Sequence, residues 1–148
     1  MQALYAFELG GGDAEHIIET WLKPNLAEDP AGLEFATSLF LRVLGCAESA
    51  DEIISSHTTN WDISRIALID RLLLRMAICE MLTFEDIPPK VSINEAIEVA
   101  KRYSTSKSGK FINGILDAVL LDLQREGRLK KAGRGLIGMD SIRDRVAT

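Results

Sequence analysis

Two cysteines in 148 residues, Cys46 and Cys79, cannot build a disulfide framework and lack the paired spacing of a zinc site, so a reducing compartment, the cytosol, is expected. Histidine is as scarce. His16 and His57 fall in different expected elements with no cysteine or histidine at ligand spacing, which leaves them surface or packing roles and no metal. No run approaches the ~18 uninterrupted apolar residues of a membrane span. The richest stretch, Ser64 to Leu82, is broken by Arg65, Asp70, Arg71, Arg75 and Glu80. A secretory signal is not expected either, because Met1 to Leu9 has no basic flank and runs into Gly10-Gly11-Gly12. Strand alternation and fixed-period repeats are missing throughout.

What is present is an ordinary globular composition, 47% hydrophobic and 26% charged, in a chain of one-domain length that buries about 68–70% of its unfolded surface. The net charge of -5 hides an asymmetry. Residues 1–100 hold 6 Lys and Arg against 17 Asp and Glu, whereas residues 101–148 hold 11 against 5. A basic end on an acidic body suits a polyanion, and equally a solvated tail.

Between the prolines and glycines the apolar residues recur at helical spacing. Gln2 to Leu9 reads as a short helix, and Asp13 caps a second that Pro24 is expected to stop. A long pattern from about Pro30 to His57 leaves room for a break at Gly45 or Ser49 to Asp51. Thr58-Thr59-Asn60-Trp61-Asp62 forms a polar joint between two lobes. The segment beyond it is apolar all round and belongs at the centre of the packing. Ser92 and Glu95 have capping-box spacing. Ser104 to Ser108 leads into a last strong helix that Gly127 ends. Residues 127–148 read as a flexible basic tail. The expected fold is all-α, a helical bundle of two three-helix lobes, lobe 1 spanning about 1–58 and lobe 2 about 60–126.

Catalytic signals are poor. Ser108-Gly109-Lys110 fails as a phosphate loop because Ser104 stands where the first glycine should be and Phe111 where the hydroxyl should be. Arg71 and Glu80, among apolar neighbours, are expected to tie the lobes together through ion pairs, while Asp70 and Arg75 could reach a groove. The strongest constellation is Lys101-Arg102-Tyr103 with Lys107, Lys110, Phe111 and Asn113: cations for phosphates, a helix N-terminus, and aromatic rings able to stack on unpaired bases. Read from the residues alone, Phe111 as a first core residue beside solvated lysines fits equally well.

The run Asn60-Trp61-Asp62-Ile63-Ser64-Arg65-Ile66-Ala67-Leu68-Ile69-Asp70-Arg71, followed by Leu74-Arg75-Met76-Ala77-Ile78-Cys79-Glu80-Met81, closely resembles the bacterial transcription antitermination factors of the NusB family. So do Ile93-Asn94-Glu95-Ala96, Lys110-Phe111-Ile112-Asn113-Gly114 and the first-helix piece Gln2-Ala3-Leu4-Tyr5. The resemblance covers about residues 2–120. It implies two three-helix lobes, no catalysis and no cofactor, and pairing with the small-subunit ribosomal protein NusE on the boxA element of ribosomal RNA leaders, with other Nus factors and RNA polymerase engaged indirectly. It further implies RNA contact by Gln2, Tyr5, Asp70, Arg75, Lys110 and Phe111, to which Lys107 adds a cation where many relatives carry an acid. Glu80, Asn94 and Glu95 would face NusE. Formation of a homodimer stays open.

Family members carry an arginine-rich arm ahead of the first helix, whereas this sequence starts within it, so weaker RNA binding with a flatter salt dependence is expected. The segment from Arg125 to Arg145, with seven cations and three acids, is expected to supplement RNA contact. The rival readings are an interaction module that keeps NusE and has lost RNA, the NusB-like domain of a ribosomal RNA methyltransferase, and a helical enzyme holding an anionic metabolite with Arg71, Arg75 and Lys110.

Overall fold

The computed structural model describes residues 1–58 and 63–147, and among these described residues there are seven α-helices and no strand. Helix α1 (Gln2–Gly10) buries Ala3 and Leu4 and sets Phe7 edge-on against Phe40, ring centres 6.1 Å apart. Asp13 then caps α2 through the Glu15 amide. Pro24 does not stop this helix. Helix α2 opens as Ala14–Ile17, widens into a π-turn over Ile18–Leu22 and closes over Lys23–Asn25. Proline removes an amide donor and crowds the carbonyl four residues back. The wider turn, in which the Lys23 amide donates to Ile18, five residues back, accommodates it.

Helix α3 (Pro30–Ser56) is unbroken over 27 residues, Gly45 and Ser49 to Asp51 included. Its start is locked by the Asp29 carboxylate, which accepts the Gly32 amide at 2.9 Å. A Cβ at Gly32 would lie 2.2 Å from Asp29 Oδ2, so a larger residue there would displace the capping carboxylate. The joint expected at Thr58 to Asp62 falls, apart from Thr58, outside the described residues.

Helix α4 (Leu68–Thr83) packs against α1, α3, α5 and α6, which is why it is apolar on every side. Leu72, Leu73, Leu74, Ile78, Cys79 and Met81 are all sealed from water. Helix α5 (Pro89–Tyr103) begins one turn earlier than the capping-box spacing implied, because Pro88-Pro89 supplies the pre-set first turn. Ser92 is therefore inside the helix, 1% exposed, its hydroxyl without a partner. Thr105 caps α6 (Ser106–Arg125) by accepting the Ser108 amide at 3.1 Å, and Gly127, at φ 67°, ends it.

The segment after Gly127, expected from the sequence to be a flexible tail, lies against the second half of the bundle. The Lys131 ammonium donates to the carbonyls of Glu80 and Phe84, and the Ala132 amide donates to Glu85. Gly135 presses so close to the Glu85 carbonyl that a Cβ would sit 1.8 Å from its oxygen. Helix α7 (Met139–Ala147) buries Met139 and Ile142. Full burial of a side chain such as Ile142 stabilises by about 1.5–3 kcal/mol, which favours the docked helix. Arg145 clasps Asp117 on α6 through two 2.8 Å bonds, which keeps the Asp117 carboxyl below the usual carboxylate range.

Candidate nucleic-acid interface

Four helices meet at one corner of the molecule. Helix α1 brings Gln2 and Tyr5, α2 brings Trp21, and the last turn of α5 brings Tyr103, with Ile69 of α4 at the base. They enclose an open cleft of about 290 Å³. The Gln2 side-chain amide donates to the Tyr103 hydroxyl across it at 3.4 Å. All three rings stay exposed: Tyr5 and Trp21 at 39%, Tyr103 at 44%.

The turn from α5 to α6 continues this surface. Asp70, on the first turn of α4, accepts a hydrogen bond from Ser104 at 3.1 Å and one from Ser108 at 2.8 Å, one on each carboxylate oxygen. The two serine hydroxyls are also 2.8 Å apart. Asp70, expected among the RNA contacts, is only 6% exposed and is a buried tether for the turn. Lys107 and Lys110, which follow it, are exposed and make no ion pair among the described residues. Lys101 is paired with Glu98, and the Arg102 guanidinium lies 5.9 Å from the centre of the Tyr103 ring. Phe111 is half-buried, packed against the core.

Arg75 also departs from expectation. Its Nε and Nη2 donate to the two oxygens of Asp51 at 2.7 and 2.6 Å, and its Nη1 lies 3.7 Å from Glu8. Arg71 stands 3.9 Å from the same glutamate. These arginines fasten α4 to α1 and α3, and Arg75 is not available to a phosphate. Asp51 and Glu8 went unnoticed in the sequence, since nothing local links them to Arg75.

On another face, Glu80 and Glu95 line an open groove of about 570 Å³ with Phe35, Val91, Ser92 and Ile137. Asn94 is exposed on the same helix as Glu95. Glu80 forms no ion pair among the described residues, and Lys131 bonds its backbone carbonyl rather than its carboxylate. Burial therefore pushes Glu80 up to about 7, with Lys131 opposing the rise, and brings Lys131 down to about 8. Because the folded state holds the Glu80 proton more tightly than the unfolded chain, stability is lost as pH rises from about 4.5 to about 7. Glu80→Gln is expected to stabilise the protein by about 2 kcal/mol at pH 8, roughly 4–8 °C in Tm, and to have little effect near pH 4.5. Thermal unfolding followed by circular dichroism at the two pH values tests this; an equal shift at both would refute it.

The NusB family model matches residues 1–121. The chain belongs to the NusB family. It is 56% identical over 148 residues to the transcription antitermination protein NusB of Salinibacter ruber (strain DSM 13855 / M31), covering all of this chain and 92% of that one. Among solved structures, T. maritima NusB is 39% identical, with a TM-score of 0.73 over 80% of this chain and 82% of that chain. A chain from a crystal structure of a plectonemic RNA supercoil is 26% identical, with a TM-score of 0.73 over 79% of this chain and 85% of that one. The family model's match stops before the C-terminal segment that contributes Arg134 and Ile137 to the groove, whereas the Salinibacter ruber protein matches through it.

Proposed function

We propose that this NusB-family chain binds boxA-type single-stranded RNA of ribosomal RNA leaders together with NusE, and so suppresses premature termination. The observation that carries the reading is the corner formed by Gln2, Tyr5 and Tyr103, followed by the start of α6, where Lys107 and Lys110 make no ion pair among the described residues. Exposed rings offer stacking to unpaired bases, and lysines offer charge to phosphates. Phe111, beside Lys110, is the further aromatic contact. Asp70 serves by holding the turn. Many of the cations of the C-terminal segment are engaged, Arg145 with Asp117, Arg143 with Asp140 and Lys131 with carbonyls, so the segment is a weak supplement to RNA contact.

Fluorescence anisotropy with boxA RNA and a scrambled oligonucleotide, with and without NusE, tests the reading. Preference for boxA, strengthened by NusE, is expected; equal binding to both RNAs in every condition would remove it. In the same assay, Lys107→Ala combined with Lys110→Ala should flatten the slope of log affinity against log salt by about 1.4, at about 0.7 per single-strand phosphate contact. An unchanged slope would mean that neither lysine meets the backbone.

The partner surface we assign is the groove holding Glu80 and Glu95, with Asn94 beside it. A partly buried carboxylate that forms no ion pair, and a buried Ser92 hydroxyl that has no hydrogen-bond partner among the described residues, both favour protein docking at this face. Were RNA binding absent while NusE still bound, this groove would be the working site and the chain an interaction module.

A further inference from the structure

Cys46 on α3 and Cys79 on α4 are remote in sequence, yet the fold sets them side by side, the Cys79 thiol donating to the Cys46 sulfur. Helices α3 and α4 run antiparallel, and two further links fix their register. Arg42 Nη1 on α3 donates to the Thr83 carbonyl at 2.5 Å on one side of the pair, and Arg75 on α4 bonds both oxygens of Asp51 on the other. Cys46 lies four residues after Arg42, and Cys79 four before Thr83, so each is one helical turn from that link and the two face each other at the middle of the pairing. Cys46 is half-buried, whereas Cys79 is sealed from water. A small solute therefore reaches one thiol and not the other. The hydrogen bond from Cys79 holds the Cys46 thiol down to about 7 against the opposing effect of burial, with the Arg128 charge assisting; the same bond and burial push Cys79 up. Cys46 is thus partly thiolate at neutral pH, which is the reactive form.

We propose that Cys46 and Cys79 form a reversible oxidation site, at which a peroxide converts the two thiols into a disulfide bridging α3 and α4. The Cys46 thiolate attacks one peroxide oxygen, the O–O bond breaks, and the departing hydroxide takes up a proton to become water, leaving a sulfenic acid on Cys46. The Cys79 sulfur then attacks the Cys46 sulfur. The S–O bond breaks, and the hydroxide leaves with the Cys79 proton as a second water. Two electrons pass from the two sulfurs to the peroxide. A dithiol reverses the bond by exchange, becoming a disulfide itself and returning both cysteines to thiols. A resolving thiol in contact with the reachable one favours the disulfide over higher oxides, and in a reducing compartment such a bond is transient, as a sensor requires. The bridge ties together the two helices whose Leu39, Met76 and Glu80 line the large groove, so oxidation is felt at that face.

The test uses the full chain, reduced and freed of reductant, then treated with a small excess of hydrogen peroxide and read by intact mass and peptide mapping. A monomer lighter by two hydrogens, with Cys46 joined to Cys79 and both thiols restored by dithiothreitol, is expected. Dimedone, which traps sulfenic acids, should label Cys46 strongly in Cys79→Ala and only weakly in the unaltered protein, where Cys79 consumes the sulfenic acid first. In Cys46→Ser, Cys79 should stay unmodified, because peroxide does not reach it. The oxidised protein should melt roughly 4–10 °C above the reduced one, since the bond closes a loop in the unfolded chain; the shift should be absent from both variants. Should Cys79→Ala fold poorly, the mapping of the unaltered protein and of Cys46→Ser still decides. Conversion of Cys46 to a sulfinic acid, or to a disulfide between two molecules, with Cys79 left as a free thiol in the folded protein, would overturn the proposal. Inertness of both thiols in the folded chain, under peroxide that oxidises them in the unfolded chain, would overturn it equally.

Discussion

Arg75→Ala is expected to destabilise the protein by about 2–4 kcal/mol, seen as a fall in Tm of roughly 5–15 °C at pH 7. The guanidinium is 11% exposed and bonds both oxygens of Asp51, with Glu8 3.7 Å away. Its removal leaves two carboxylates facing a pocket from which their cation has gone. Breaking a buried pair from one side typically costs about 3–5 kcal/mol. Asp51 keeps 30% exposure, so water compensates part of this loss and the lower figure applies. Replacing both partners by apolar residues of similar size, Arg75→Met with Asp51→Leu, should recover much of the stability, because no orphaned charge remains. Denaturant and thermal unfolding measure both effects. A loss under about 0.5 kcal/mol for Arg75→Ala would place the pair among inconsequential surface contacts. RNA affinity of the folded variant should be unchanged, which separates this structural role from a phosphate contact.

Asp70→Ala is expected to cost about 2–3 kcal/mol and, in addition, to weaken RNA binding from a position with almost no access to solvent. Two serine hydroxyls donate to this carboxylate, and through them it fixes the turn between Tyr103 and Lys107. Without it Ser104 and Ser108 are left bonded only to each other and to Thr105. The turn should loosen, giving faster hydrogen exchange for amides near residues 103–110, and the cations and rings it carries should bind less well. Asp70→Asn retains one acceptor oxygen and should show a smaller change in both measurements. If Asp70→Ala weakened RNA binding while exchange across the turn stayed as before, Asp70 would be a direct base contact and the tether argument would fail.

Much of the helical plan was legible residue by residue. Asp13 and the Ser104 to Ser108 stretch are local start signals, since a cap acts on amides two or three residues away. The all-round apolar pattern from Ile66 to Leu82 fits a central helix whatever surrounds it. Ser92 with Glu95 misled because Pro88-Pro89 starts the same helix sooner, and Pro24 because a π-turn can absorb a proline. The docking of the C-terminal segment was not legible for a related reason: Met139 and Ile142 are too few to form a pattern, and they are buried only because the bundle offers a surface for them.

The sequence by itself determined the helices, the family and the set of residues from which an RNA surface could be built. Those follow from periodicity, capping and motif, all of which act over a few neighbouring positions. Only the tertiary structure decided that Arg75 belongs to Asp51, that Asp70 is covered by two serines, that Glu80 forms no ion pair among the described residues, and that Trp21 joins Tyr5 and Tyr103 around one cleft. Burial and ion pairing depend on which helices face each other across the core, and that proximity between distant residues is a property of the packed chain rather than of any short segment in it.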